Sequence, residues 1–351
     1  MISTKITTIE KLHTYLHHAM MLEHATIPPY LLTMYSIHPG TNLDAVQCLR
    51  VVVVEEMLHL TLAANILNAV GGTPNLSVGG FCPVYPAYLP DGENDFQVDL
   101  EPFSPHAIET FLKIERPAKA PAEEKRLVNR KLLRAYSLGV VPGEVGLHYY
   151  SIGEFYHEIE LGLEYLERET GGKLFTGAAN RQVGPEYFYS GGGKLSVVQD
   201  LESAKVALEQ IVEQGEGLGD KTKRIYDHEG ELAHYYRFDE LNKGRRYQKG
   251  DKAEEPTGPE FKVKWDAVYP FKKNARLADY PEGSDLRAAA VAFNKSYADF
   301  LALLTTAYNG KPELLLKAVP EMFVLRNKIL QLIHHPIPGM EGVKAAPTFE
   351  L

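Results

Sequence analysis

Three Glu-x-x-His pairs carry the chemistry that this chain could do: Glu56/His59, Glu154/His157 and Glu231/His234. On a helix, residues three apart share a face, so a carboxylate and an imidazole at that spacing can reach one point together. Those two donors suit first-row transition metals. Glu56 and His59 lie in Val51-Val52-Val53-Val54-Glu55-Glu56-Met57-Leu58-His59-Leu60, on a helical face completed by Val52, Ala63, Ile66 and Val70. Charged groups on such a face are costly to bury unless something compensates them, and a metal ion would. Upstream, Glu23 interrupts a second apolar stripe through Leu12, Leu16, Ala19 and Ile27.

A dinuclear carboxylate site in a four-helix bundle takes one Glu from each of two helices and a Glu-x-x-His pair from each of the other two. The chain offers that alternation in order: Glu23, then Glu56 with His59, then Glu154, then Glu231 with His234. These six are the expected metal ligands, holding two iron ions or a manganese–iron pair. Glu158, one turn beyond Glu154, competes for the third-helix position, and His157 is read as structural. Glu55 is expected to hydrogen-bond at the edge of the site. His17, His18, His24, His334 and His335 are read as surface or packing histidines.

Four long helices must position these groups. The periodicity predicts them at about residues 8–38, 44–70, 149–169 and 221–241. The second ends at Gly71-Gly72, and at ~1.5 Å per residue it would be roughly 40 Å long. Thr7-x-x-Glu10 reads as a capping box for the first, and Pro28-Pro29 should kink or break that helix near Ile27. Residues 73–121 are read as irregular with a short helix near 105–114, a long connection that suits a crossover between parallel bundle helices. Residues 119–126 read as solvated surface, 174–200 as loops and short strands, and 243–283 as irregular and partly β. Gly191-Gly192-Gly193 is followed by Lys194 and Leu195, which lacks the Ser or Thr of a phosphate loop. A helix at 203–213 and two C-terminal helices within 285–334 complete the chain. The expected architecture is mainly α, one domain over residues 1–351, with insertions at 73–142 and 174–200 roofing a pocket. Tyr30, Phe155, Tyr187 and Phe188 are candidate walls.

The chain has 351 residues and a formal net charge of −9, a balance that argues against a nucleic-acid surface. Two cysteines, Cys48 and Cys82, make no disulfide framework, so a reducing cytoplasm is expected. The N-terminus lacks a signal-peptide core, and no apolar run is read as a membrane span. The apolar faces of the C-terminal helices leave room for a homodimer.

Leu22-Glu23-His24-Ala25-Thr26-Ile27-Pro28-Pro29-Tyr30-Leu31 and Glu55-Glu56-Met57-Leu58-His59 resemble the ferritin-like domain family that includes the iminophenylpyruvate dimer synthases of violacein-type pathways. So do Ile152-Gly153-Glu154-Phe155-Tyr156, Arg181-Gln182-Val183, Glu231-Leu232-Ala233-His234-Tyr235, residues 325–332 and Ala346-Pro347-Thr348-Phe349-Glu350. The resemblance implies a decorated ferritin-like bundle, stand-alone, with a metal site at these Glu and His positions, and it favours Glu154 over Glu158. The expected function is a non-haem di-iron or Mn/Fe oxidase or oxygenase, using O₂ on a small organic, amino-acid-derived substrate. Two other readings stay open: iron handling, and a metal-free structural or interaction protein on the same scaffold.

Overall fold

The structure, a computed structural model, describes residues 4–90, 95–117, 149, 151–188, 192–217 and 225–351. Helix α1 (Ile9–Ser36) opens at Thr8, one residue later than the capping-box spacing suggests, with Thr8 Oγ1 accepting from the Lys11 N–H. It runs through Pro28-Pro29 without a break, against expectation. Proline lacks an N–H, so Pro29 leaves the Ala25 carbonyl without its helical donor. The Tyr85 hydroxyl takes that place, donating to Ala25 O at 2.8 Å. The break that the sequence allows fails to appear, and a tertiary contact satisfies the exposed acceptor.

Helix α2 (Leu43–Ala69) packs along α1. It stops where expected: Gly71 takes φ +81° and the Gly72 N–H closes on Leu67 O at 2.8 Å, the left-handed stop that glycine allows. By length and composition α2 would pass as a membrane span, but it is mostly buried in this protein.

The third and fourth positions of the bundle are each built from two successive helices. Helices α3 (Pro105–Ile114) and α4 (Ile152–Glu169) follow one another along α1. Phe111 of α3 meets Tyr30 near one end of α1, while Phe155 at the start of α4 meets Tyr15, and Gly162 lies against Ile6. Helices α5 (Leu201–Glu216) and α6 (His234–Lys243) follow one another along α2 in the same way. Gln214 near the end of α5 meets His59, and Cys48 meets the Arg237 carbonyl on α6. Both breaks therefore fall at the middle of the α1–α2 pair. The α3/α4 row runs antiparallel to α1 and hence parallel to α2, which is why a long crossover joins them.

The predicted fourth helix over 221–241 is corrected to His234–Lys243. Ahead of it, Tyr226 and Leu232 pair across a turn, Asp227 Oδ1 accepts the Glu231 N–H at 2.8 Å, and Gly230 takes φ +82°. Asp and Gly at those places favour a turn over a helix. No strands appear among the described residues, only isolated bridges. The segment expected as solvated surface, 119–126, lies outside the described residues. Helices α7 (Asp285–Ala307) and α8 (Leu315–Ile333) pack on each other, and α8 also meets α1.

Candidate metal centre

Two helix middles and two helix ends meet at one point. Glu23 comes from the middle of α1, and Glu56 with His59 from the middle of α2. Glu115 caps the C-terminus of α3, and His234 opens α6. None of these five is more than 3% exposed. They form two groups that share Glu56: Glu23, Glu56 and His59, and Glu56, Glu115 and His234. In each group the ligand atoms lie within 4.8 Å of one another.

The two halves are built alike. His59 Nδ1 is 3.3 Å from Glu23 Oε2 and 3.9 Å from Glu56 Oε1. His234 Nδ1 is 3.0 Å from Glu56 Oε1 and 3.5 Å from Glu115 Oε2. Each imidazole is held from behind through Nε2: His59 by Gln214 Oε1 at 2.9 Å, His234 by Glu55 Oε2 at 2.8 Å. An Nε2–H bound this way leaves the Nδ1 lone pair facing the carboxylates, the arrangement that orients a metal-binding histidine. Each outer carboxylate receives a tyrosine hydroxyl: Tyr156 donates to Glu23, and Tyr30 donates to Glu115 at 2.5 Å. Thr26 Oγ1 lies 2.9 Å from Glu56 Oε2, leaving Oε1 to face both imidazoles.

The electrostatics call for a cation. Burial, then the neighbouring Glu115 and Glu23, raise the Glu56 carboxyl to about 8. Burial opposes charge on both imidazoles, yet the carboxylates outweigh it and raise both, His234 well above the ordinary range. Burial and the adjacent carboxylates raise Tyr30 and Tyr156 well above theirs, so both remain donors. Although close to two carboxylates, His234 Nδ1 makes no hydrogen bond with either. A buried nitrogen that approaches oxygens without bonding them, among three carboxylates with outward-facing support, fits a pair of divalent metal ions.

Of the residues expected to bind metal, Glu23, Glu56, His59 and His234 converge, while Glu154 and Glu231 do not. On α4 the inward residue is Tyr156, and at 100° per residue Glu154 and Glu158, each two positions away, face elsewhere. Glu158 instead accepts from Thr4 Oγ1 at 2.6 Å and the Lys5 N–H at 2.5 Å. The His157 side chain is 65% exposed. Because α6 starts at His234, Glu231 is off the helix; its carboxylate is 65% exposed and pairs with Arg237 at 3.1 Å. Glu115 was missed, though it carries the signal that identified Glu23: a carboxylate continuing the apolar stripe Ile108, Phe111. Glu55 hydrogen-bonds at the edge, and the Gly192 loop covers it. A Cβ at Gly192 would overlap the Glu55 side chain, and Gly192 O accepts from Gln214 Nε2. Of the candidate walls, Tyr30 is instead a donor to the site and Phe155 is core packing. A polar pocket of about 250 Å³ borders Gln214.

A family model described as Ferritin-like matches residues 16–243. The chain is 28% identical over 331 residues to a dichlorochromopyrrolate synthase from Lentzea aerocolonigenes, covering 85% of this chain and 29% of that relative's length. A crystal structure of a ferritin like protein from Caulobacter vibrioides superposes with a TM-score of 0.58 at 22% identity, covering 92% of this chain and 94% of that one.

Proposed function

The chain belongs to the ferritin-like family, and from that premise we propose that it is an O₂-dependent oxidoreductase acting on a small organic molecule at a dinuclear metal centre. The observation that carries this reading is the sharing of Glu56 between two like ligand groups. Glu23 and His59 would hold one ion, Glu115 and His234 the other, with Glu56 between them. Glu154 and Glu231 lie outside the set. Two iron ions, or manganese with iron, would supply redox chemistry with O₂ when bound there.

The protein's own part is positioning and exclusion. Tyr30 and Tyr156 fix the outer carboxylates by donating to one oxygen each. Glu55 and Gln214 fix the imidazoles. Burial keeps bulk water from the ligands, so charges there interact strongly. Gln214 also faces the polar pocket, which makes that side the natural approach for a polar substrate. The synthase name of the relative supports an enzymatic reading, and the substrate in this proposal is a small, amino-acid-derived molecule. Cys48 and Cys82 are free and buried, which suits a reducing, cytoplasmic setting.

The test is O₂ consumption after anaerobic loading with Fe(II). The wild type should consume O₂ faster than Fe(II) in buffer, and Glu56→Ala should fall to the buffer rate. Equal consumption by both proteins would sink the proposal.

A further inference from the structure

A second face of the same two helices builds a different site. On α1 the stripe His24, Ile27, Leu31, Met34 runs to one side of Glu23, and on α2 the stripe Val46, Arg50, Val53, Met57, Leu60 runs to one side of Glu56. Helices α7 and α8, which follow the residues matched by the family model, stand over these stripes. Between the four helices lies a cavity of about 620 Å³, the size of a small-molecule pocket.

Its lining is mostly apolar, and its charge is one-sided. Among the described residues no Asp or Glu lines it, although the chain holds 46 of them, while Arg50, Arg326, His24, His38 and His334 do. Arg50 and Arg326 are exposed and mark the mouth. Neither has a carboxylate partner among the described residues. At the inner end His24 is 1% exposed, with Nε2 2.9 Å from the Tyr297 hydroxyl and Nδ1 without a partner.

We propose that this cavity binds an amphiphilic carboxylate, with its apolar body among Ile27, Leu31, Leu301 and Ile329 and its carboxylate at the arginine-lined mouth. Arginine suits the head because its planar fork matches a carboxylate. The site is independent of the metal centre, from which the α1–α2 pair separates it.

The test is fluorescence titration of the full chain with cis-parinaric acid and with the corresponding alcohol. The acid should saturate at one per chain and bind about tenfold more tightly than the alcohol, since only the acid can pair with arginine. The double variant Arg50→Gln/Arg326→Gln, changed only at exposed positions, should lose that preference while still binding the alcohol. Leu301→Trp should block both. Displacement by dodecanoate or by 2-naphthylacetate tells an aliphatic body from an aromatic one. Equal binding of acid and alcohol, or a double variant that keeps the preference, overturns the proposal. So does the absence of saturable binding, or sedimentation showing a dimer that Phe323→Asp dissociates and whose dissociation opens the cavity to the probe.

Discussion

Glu56 is the pivot of the centre because its Oε1 faces both imidazoles while Thr26 holds Oε2. Without a cation, protons must offset the crowded charge. Glu56 is raised to about 8 in the fold against 4.5 in the unfolded chain. Its folded form thus binds the proton more tightly, and the resulting stability is full below about pH 4.5 and lost as pH rises through about 8. His59 and His234 are raised as well and act in the same sense. Metal-free protein should therefore melt at falling temperatures from pH 5 to pH 8, and Glu56→Gln should flatten the decline. A melting series showing the opposite slope would contradict this. At the same scale, Glu115→Ala should lower metal content, whereas Glu154→Ala and Glu231→Ala should leave it unchanged, as elemental analysis would read. Glu23, Glu56, His59 and His234 were legible because Glu and His break apolar stripes on long helices. Glu115 carried the same mark but stands just past the end of a ten-residue helix, with no histidine three residues on. Glu154 falls outside the cluster because the stripe that α4 turns inward is set by Tyr156, and spacing alone does not fix which face packs.

At the scale of elements, the third and fourth bundle helices break at the carboxylate–histidine cluster, which brings helix ends rather than helix middles to it. Periodicity found α1, α2, α4, α7 and α8 because each is long. It overextended α6, whose preceding turn is set by Asp227 and Gly230. It also broke α1 at Pro28-Pro29, since the Tyr85 hydroxyl that satisfies Ala25 is distant in sequence. Tyr85→Phe should therefore leave a buried carbonyl unpaired and cost about 1–3 kcal/mol in chemical denaturation. The glycines dismissed as a phosphate loop have a different task. Gly192, at φ +73°, lies against Glu55. Gly192→Ala should push Glu55 off His234 and weaken metal binding by about tenfold to a hundredfold, the usual cost of losing an outer partner. Unchanged affinity in a metal titration would remove the loop from the account.

At the scale of the molecule, two long helices serve two sites on different faces. The inward face of α1–α2 carries the carboxylates and imidazoles. The other carries the apolar cavity that α7 and α8 enclose. No described Asp or Glu lines the second face, whereas Glu23 and Glu56 meet on the first, where a cation or protons must offset their charge. The most direct measurement is anomalous diffraction from crystals of protein loaded with manganese and iron. Two peaks should flank Glu56, one against Glu23 and His59, the other against Glu115 and His234. No peak, or a single peak away from Glu56, would contradict it.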